Sequence, residues 1–278
     1  MKVSILMCVY NSETYLKKCI QSIQNQTYRD FEAIIIDDGS TDLTSKILDD
    51  ITDSRFRIFH RQHGYIASLN YGLQIVQGEY IARMDADDIM MPNRIETQVN
   101  VLDNHPEVAV CSSWIKIFGE GLEEKNIKQA SGKLDCPYVR LLDSNFICHP
   151  ATMIRKSFIE KHHIQYKEYI HAEDYKLWCD IALAGGNFWF IPEVLLAYRI
   201  SSGQVSSKYY YEQYKTALKI KKEILLTILN DDKITCHEEL QKIYLELEKI
   251  NNMRLLSGNT IFRIISVLSK EIHTYNRK

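Results

Sequence analysis

The sequence lacks the features that mark a membrane-spanning, disulfide-framed or zinc-binding chain. No stretch approaches the ~20 apolar residues that a membrane-spanning helix needs. The seven cysteines are odd in number and form no C-x-x-C pair, so neither a disulfide framework nor a zinc site is indicated. We also expect no signal peptide, because Met1-Lys2 leads straight into a strand-like run. These absences predict a protein of the reducing cytoplasm.

An excess of charge of either sign is also absent. The net charge is −2 over 278 residues, and without a positive excess we expect no nucleic-acid partner for the whole chain. Apolar residues make up 45% and charged residues 25%, an ordinary balance that can fill a core. There is no internal repeat and no low-complexity tract. The length suits one large domain, or one domain with an appendage.

Strand-like apolar runs alternate with helical periodicity along the first half of the chain. The runs predict strands at residues 3–9, 31–36, 57–60 and 79–84, with helices at residues 13–26, up to about residue 50, and at 65–77. This β-α-β-α alternation predicts an α/β fold, a Rossmann-like and mostly parallel sheet with helices on both faces.

The second half continues the alternation and then changes character. Helices are predicted at residues 94–104, 137–142 and 171–184, strands at 108–113, 114–118, 188–192 and 195–199, and a loop or lid at 119–135. From about residue 206, amphipathic helices at 209–229 and 237–256 are rich in Lys, Glu and Leu. We therefore predict an α/β domain over residues 1–205 and a helical C-terminal extension over 206–278.

Two carboxylates follow the predicted strand at residues 79–84. Asp85 and Asp87 point to the same side of an extended segment, because side chains repeat every second residue. Hard oxygen ligands in this arrangement suit Mg²⁺ or Mn²⁺, which keep open positions for substrate phosphates. The alternative is a solvated acidic turn.

Two further acidic pairs lie at predicted element ends. Asp37-Asp38 follows a strand and can accept hydrogen bonds from a base or ribose, while Tyr10, at the end of the first strand, can stack on a flat ring. Glu173-Asp174 opens a helix, where a carboxylate can take a proton from an attacking hydroxyl. The alternatives are that the first pair caps the next helix, that Tyr10 is core, and that the second pair holds first-turn acids favoured by the helix dipole.

Four motifs in a fixed order make the sequence recognisable. They are VSILMCVYN at residues 3–11, IDDGSTD at 36–42, GEYIARMDADD at 78–88 and AEDYKLW at 172–178. Together they resemble family 2 glycosyltransferases, inverting enzymes of the glycosyltransferase A-type fold. The resemblance covers about residues 1–205 and is strongest to the subgroup that builds bacterial surface polysaccharide or lipooligosaccharide. It implies a nucleotide-binding half at about residues 1–100 and an acceptor half at about 101–205.

The resemblance also implies ligands and residue roles. The implied ligands are a UDP-sugar donor, a saccharide or lipid-linked saccharide acceptor, and Mn²⁺ or Mg²⁺. Tyr10 and Asp38 would bind uracil, Asp87 with Asp85 would bind the metal and diphosphate, and Asp174 would be the catalytic base. The other implied nucleotide-binding positions are Cys8, Val9, Asn11, Asn70, Arg83 and Ala86, and the implied acceptor-side positions are His149, Glu173 and Trp178.

One departure from the family and two alternatives stay open. Many relatives carry His two positions after a Tyr-Arg pair, where it can bind the metal, whereas this chain has Ser201 after Tyr198-Arg199. A sugar nucleotidyltransferase is also α/β and metal-dependent, but it needs a glycine-rich loop after the first strand, and Val9-Tyr10-Asn11-Ser12 has no glycine. The other alternative is a catalytically silent nucleotide-sugar-binding protein.

The C-terminal tail carries its own charge pattern. Residues 251–278 contain five Lys or Arg against one Glu, and residues 260–270 have an apolar face. A basic amphipathic helix of this kind can lie on an anionic membrane surface, here the inner face of the membrane. The alternative is that it packs on the catalytic domain or on a second subunit of a homodimer.

Overall fold

The computed structural model of the chain describes residues 1–134, 137–201, 208–229, 237–252 and 259–265. The strands are β1 (Val3–Val9), β2 (Phe31–Asp37), β3 (Phe56–His60), β4 (Tyr80–Met84), β5 (Ile89–Met90), β6 (Val108–Phe118), β7 (Lys125–Ile127), β8 (Gly132–Leu134), β9 (Met153–Arg155) and β10 (Asn187–Arg199). The helices are α1 (Leu16–Gln24), α2 (Thr44–Asp49), α3 (Tyr65–Ile75), α4 (Arg94–Asn104), α5 (Pro137–Asp143), α6 (Lys156–Lys161), α7 (Glu173–Leu183), α8 (Tyr210–Leu229) and α9 (His237–Asn252), with a 3₁₀ turn at His149–Ala151.

One mixed sheet organises the molecule, in the order β3-β2-β1-β4-β9-β6-β10-β5. The first four strands are parallel to their neighbours, and β6 and β10 are parallel to each other. Between these two blocks β9 runs antiparallel to both β4 and β6. The α/β fold predicted from the alternation is therefore confirmed, with parallel order inside each block.

Apolar layers cover both faces of this sheet. Along β1, Leu6 and Cys8 contribute to one layer and Ile5 and Met7 to the other, as the two-residue period of a strand requires. The first layer includes buried residues of α3, α5, α7 and α8, and the second includes those of α1 and α4. Because each face has its own helices, the carboxyl ends of the parallel strands stay open at one edge, where ligands bind in folds of this kind.

Several predicted boundaries were wrong. Residues 108–118 form the single strand β6, and β10 runs unbroken from Asn187 to Arg199 because a register shift between Ile191 and Val194 absorbs Pro192. The predicted loop at 119–135 contains β7 and β8, which pair with β6 and β10. Helix α1 begins at Leu16 rather than at residue 13, because the Ser12 carbonyl first accepts the Tyr15 and Leu16 amides in a turn.

The described part of the C-terminal tail packs on the α/β core. Ile261, Phe262 and Ile265 are buried in the first apolar layer together with Ile220 and Ile224 of α8. Of the alternatives for the tail, packing on the chain's own domain thus holds for residues 259–265, while residues 266–278 lie outside the described residues. Within the described ranges, no helix combines the length and the apolar character that a membrane span requires.

Candidate active site

A buried arginine contacts the acidic turn, residues 85–88, that follows β4. Arg83 is 1% exposed, and its Nη2 lies 2.7 Å from Asp85 Oδ1 and donates to the Tyr65 hydroxyl at 3.0 Å. β4 pairs in parallel with β1, so this turn lies beside the end of β1, where Cys8, Val9, Tyr10 and Asn11 follow one another. The strand pairing therefore brings two of the predicted motifs to one edge of the sheet.

The other two aspartates of the turn are tied to the end of β10. The Arg199 amide donates to Asp88 Oδ1 at 2.8 Å, and Arg199 Nε donates to the Asp87 carbonyl at 2.8 Å. The Arg199 guanidinium also lies over the rings of Tyr15 and Phe118, 4.0 and 4.4 Å from their centroids. Ser201 follows two residues later in the chain, after the end of β10.

The carboxylates of the turn repel one another and are poorly solvated. Burial, followed by the charge of Asp85, raises the pKa of Asp87 to about 6. Asp88 is fully buried, and burial raises its pKa well above the usual range. Within the described part of the chain, nothing hydrogen-bonds to Asp88 Oδ2. The negative charge of Asp87 and Asp88 is therefore only partly compensated, although Arg83 pairs with Asp85.

Mg²⁺ or Mn²⁺ fits this donor set. Asp85 and Asp87 supply hard carboxylate oxygens, and such ions take their remaining ligands from phosphates and water. Across the described ranges, no group of three or more His, Cys, Asp or Glu side chains is arranged to hold a metal by itself.

Asp38 directly follows β2. Its fully buried side chain contacts residues at the start of α3. Its Oδ1 accepts from the Gly64 amide at 2.9 Å and from Ser68 Oγ at 2.6 Å. His63 Nδ1 lies 2.9 Å from Asp38 Oδ2 and 3.0 Å from the backbone carbonyl oxygen of Asp38. Among the described residues Oδ2 has no hydrogen bond of its own, and the Asp38 side chain is fully buried beside His63.

The rings of Tyr10 and His63 form an aromatic surface beside this carboxylate, the aromatic ledge. Tyr10 is 45% exposed, and its ring centroid lies 4.4 Å from that of His63 at a tilt of 33°. Tyr10 is therefore not a core residue, and its exposed face can take a flat ring. His63 was missed by sequence reasoning because it lies in a loop without periodicity.

Asp37 and Asn11 support the loops around the ledge. Asp37 Oδ1 accepts from the Ser40 amide at 3.0 Å, and Oδ2 contacts His60 Nδ1 at 3.0 Å and the Ser45 hydroxyl. Asn11 has a left-handed backbone, with φ of 47°, and its Oδ1 accepts from the Thr41 amide at 2.8 Å. These contacts fix the end of β1 to the loop after β2.

Asp174 lies in the first turn of α7, and both of its carboxylate oxygens accept hydrogen bonds. Oδ1 accepts from the Tyr175 amide at 2.6 Å, and Oδ2 accepts from Asn145 Nδ2 at 3.0 Å. Burial raises the pKa of Asp174, although the Asn145 hydrogen bond opposes that rise. Burial and then the charge of Asp174 raise the pKa of Glu173 to about 7.

The first turn of α7 and the acidic turn after β4 face the same space. The charges of Asp85 and Arg83 both act on the pKa of Asp174 and of Glu173. Just before α7, His171 has a left-handed backbone with φ of 62°, a conformation that is uncommon outside glycine and concentrates at functional sites. The fold thus brings together carboxylates that lie about ninety residues apart in sequence.

Three other predicted residues form a buried support under the site. Asn70 pairs with the backbone of Tyr166, donating to its carbonyl and accepting from its amide, both at 2.9 Å. His149 Nε2 lies 2.8 Å from the Tyr166 hydroxyl, and the His149 ring meets the Trp178 ring edge-on. Trp178 is fully buried and has no surface for an acceptor, so a role on the acceptor side is limited to positioning its neighbours.

Comparison with known proteins gives a consistent result. The family model described as "Glycosyl transferase family 2" matches residues 4–162. An uncharacterized glycosyltransferase of Haemophilus influenzae is 38% identical, over 91% of this chain and 79% of that protein. The putative glycosyltransferase EpsE of Bacillus subtilis is 31% identical, over 72% of this chain and 74% of that protein.

Among solved structures, the fold matches S. aureus TarS residues 1–349. The complex of that protein with UDP-GlcNAc has a TM-score of 0.71 at 20% identity, covering 86% of this chain and 70% of TarS 1–349. The complex with UDP has a TM-score of 0.66 at 22% identity, covering 86% and 69%. At this identity the likeness shows a shared fold.

Proposed function

The chain belongs to glycosyl transferase family 2, and from that premise we propose that it moves a hexose or N-acetylhexosamine from a UDP-sugar to a hydroxyl of a saccharide or glycolipid acceptor, with inversion, in bacterial surface glycan synthesis. One observation carries the proposal. The ledge at Tyr10 and Asp38, the acidic turn at Asp85 and Asp87, and the first turn of α7 at Asp174 lie around the open edge of one sheet.

The uracil ring would stack on Tyr10, and its N–H would donate a hydrogen bond to Asp38 Oδ2. Tyr10 is the exposed aromatic at the end of β1, and Asp38 is held in place by Gly64 and Ser68. A carboxylate is an acceptor only, so it discriminates in favour of a base that presents an N–H. The capture of UDP-GlcNAc by the structurally similar TarS supports a nucleotide-sugar donor.

Asp85 and Asp87 would hold the divalent metal against the diphosphate. When bound, the ion would neutralise charge on the diphosphate as it leaves. The chain's own contribution is that Arg83 holds the Asp85 carboxylate and Arg199 holds the backbone carbonyl of Asp87. The two carboxylates, the oxygens of the diphosphate and water would together supply the oxygen ligands that such an ion takes.

Asp174 would act as the base. It takes the proton from the acceptor hydroxyl while that oxygen attacks the anomeric carbon and the bond to the diphosphate breaks, and a single displacement inverts the centre. A base acts best when its pKa lies near the working pH, and burial moves the pKa of Asp174 upward in that direction. The Asn145 hydrogen bond orients the carboxylate and keeps it ionised.

These assignments divide the chain into functional parts. The nucleotide-binding half would span about residues 1–100 and the acceptor half about 101–205, with residues 206–278 as a helical extension. Asp174 belongs to the acceptor half, and its side chain lines a cavity together with residues of the extension.

The test is a panel of UDP-sugars incubated with the protein and Mn²⁺, followed by measurement of free sugar and UDP. Transferases release sugar slowly to water, so we expect metal-dependent hydrolysis of at least one donor. Release of pyrophosphate from UTP with a sugar phosphate would instead identify a nucleotidyltransferase. Tight UDP-sugar binding without turnover, even with acceptor saccharides added, would identify a silent binding protein.

A further inference from the structure

A cavity of about 350 Å³ opens beside Asp174, on the side where the C-terminal extension packs. Its walls come from the end of α5, the start of α7 and one face of α8. Its lining includes Asn145, Asp174, Tyr210, Tyr214, Ala217 and Lys221. The proposed base therefore borders a space that the C-terminal extension helps to enclose.

One stripe of α8 faces this cavity. The lining residues of that helix fall at positions 210, 213, 214, 217, 218 and 221, a spacing of three and four that places them on a single face. Tyr211, Lys215 and Lys219 lie between them and are exposed. Tyr214 and Tyr210 thus line the cavity, Tyr214 half-buried and Tyr210 at its exposed rim (69% exposed), whereas Tyr211 does not line it.

Contacts on both sides of the stripe hold α8 to α7 and to the segment before it. Gln213 Nε2 donates to the His171 carbonyl at 2.8 Å. The Tyr169 hydroxyl donates to the Glu223 carboxylate at 2.8 and 2.7 Å, and Lys176 Nζ lies 3.3 Å from the same carboxylate. The walls of the cavity are therefore fixed relative to Asp174.

The chemistry of the lining suits an uncharged sugar. Tyrosine offers a flat apolar ring and a hydroxyl, which matches the mixed faces of a pyranose. Of the two carboxylates that line the cavity, Asp143 pairs with Arg263, whose Nε lies 3.2 Å from Oδ1, and Asp174 accepts a hydrogen bond from Asn145. Lys221 is 5% exposed and donates to the Asp143 carbonyl and to Asn259 Oδ1, so it stabilises the wall.

We propose that this cavity is the acceptor subsite, that it takes an uncharged saccharide unit whose hydroxyl reaches Asp174, and that Tyr210 and Tyr214 of α8 set acceptor affinity. The inference rests on the proposed function, because it uses Asp174 as the base. It goes further in assigning substrate recognition to the C-terminal extension, which lies beyond the region matched by the family model.

The experiment measures transfer from the active UDP-sugar to p-nitrophenyl glycosides of neutral monosaccharides, on the full chain. Tyr214→Ala should raise the KM for the best aryl glycoside by about 3–10-fold, the weight of one aromatic contact. Tyr210→Ala should act in the same direction. Tyr211→Ala removes an exposed tyrosine from the same helix (62% exposed) and should leave that KM unchanged.

A second variant guards against a loss of folding. Ala217→Phe fills the cavity without removing a contact of the donor, so it should abolish transfer to the glycoside while UDP affinity, measured by calorimetry, stays at the wild-type value. An unchanged glycoside KM in both Tyr214→Ala and Ala217→Phe overturns the subsite. So does the failure of every aryl glycoside to accept sugar from a donor that the protein hydrolyses. Failure to bind or hydrolyse any UDP-sugar is a different result, and it overturns the proposed function itself.

Discussion

Asn145 Nδ2 donates a hydrogen bond to Asp174 Oδ2 at 3.0 Å, joining the loop after α5 to the first turn of α7. This bond favours the ionised carboxylate and so lowers the pKa of Asp174, against the larger effect of burial. The loop residue therefore tunes the group that we assign as the base, although the two positions are 29 residues apart in sequence.

The first prediction removes this hydrogen bond. In Asn145→Ala the pKa of Asp174 should rise, because burial is then less opposed, and the acidic limb of the pH profile of kcat/KM for donor turnover should move to higher pH. Asn126→Ala replaces an exposed asparagine in β7 and should leave the profile in place. An unshifted limb in Asn145→Ala, with turnover retained, would separate Asn145 from the base.

The second prediction uses the carboxyl of Asp87. Its pKa in the folded protein is about 6, above the ordinary value of 3.8, so the folded state binds the proton more tightly than the unfolded chain does. The free energy of unfolding should therefore fall as pH rises from about 4 to about 6 through this group, and stay lowered above that. Asp87→Asn should raise Tm at pH 8 in EDTA and give little gain at pH 4.

Added Mn²⁺ with UDP supplies the matching metal experiment. It should raise the Tm of the wild type at pH 8, because a ligand that binds only the folded state stabilises it, and it should do so far less in Asp87→Asn. If Asp87→Asn in EDTA raises Tm by the same amount at pH 4 and pH 8, ionisation of Asp87 is not the cause of the gain.

The third prediction concerns the aromatic ledge. Tyr10 is 45% exposed, so Tyr10→Ala should leave Tm near the wild-type value while weakening UDP binding by about 1–3 kcal/mol, the usual weight of a base stacked on an aromatic ring. Leu43→Ala, at an exposed apolar residue after the neighbouring strand (61% exposed), is the control. Calorimetry with UDP decides, and equal affinities for the two variants would place the base elsewhere.

The fourth prediction separates the two uses of Asp38. Because Asp38 accepts from the Gly64 amide and from Ser68, Asp38→Ala leaves buried donors without a partner and should lower the free energy of unfolding by about 1–3 kcal/mol. Asp38→Asn keeps an acceptor oxygen for those donors but presents an amide on its other side. It should retain more stability than Asp38→Ala and still bind UDP less tightly than the wild type, as measured by denaturation and calorimetry.

Patterns in the chain predicted much of this fold for physical reasons. β1, β2 and β4 are buried on both faces, so their sequences are mostly apolar runs, interrupted by Ser4, Glu32 and Arg83, and the acids at their carboxyl ends mark the open edge. β10 was predicted as two strands, at residues 188–192 and 195–199, because the bulge after Ile191 that lets one strand continue past Pro192 has no signal in the sequence. α5 was predicted at residues 137–142 and extends one residue further, to Asp143.

The residues that complete the site were harder to predict. His63, Asn145 and Tyr166 lie in loops, where no periodicity signals a side chain's direction. The boundary predicted near residue 205 separates α8 from the first part of the chain, because composition changes there. Contacts such as Gln213 with His171 join the two parts, and these depend on tertiary packing that local sequence does not encode.

The most direct test of the account is the turnover of Asp174→Asn with the active UDP-sugar and a glycoside acceptor. Asparagine keeps the size of the side chain and one acceptor oxygen for Asn145, but it cannot take a proton. The kcat should therefore fall by about 10²–10⁴-fold, the usual share of general-base catalysis, while UDP affinity stays unchanged. NMR of the wild-type product should show the anomeric configuration opposite to that of the donor. Near-normal kcat in Asp174→Asn, or a product that retains the donor's configuration, would contradict the assignment of Asp174 as the base of an inverting transfer.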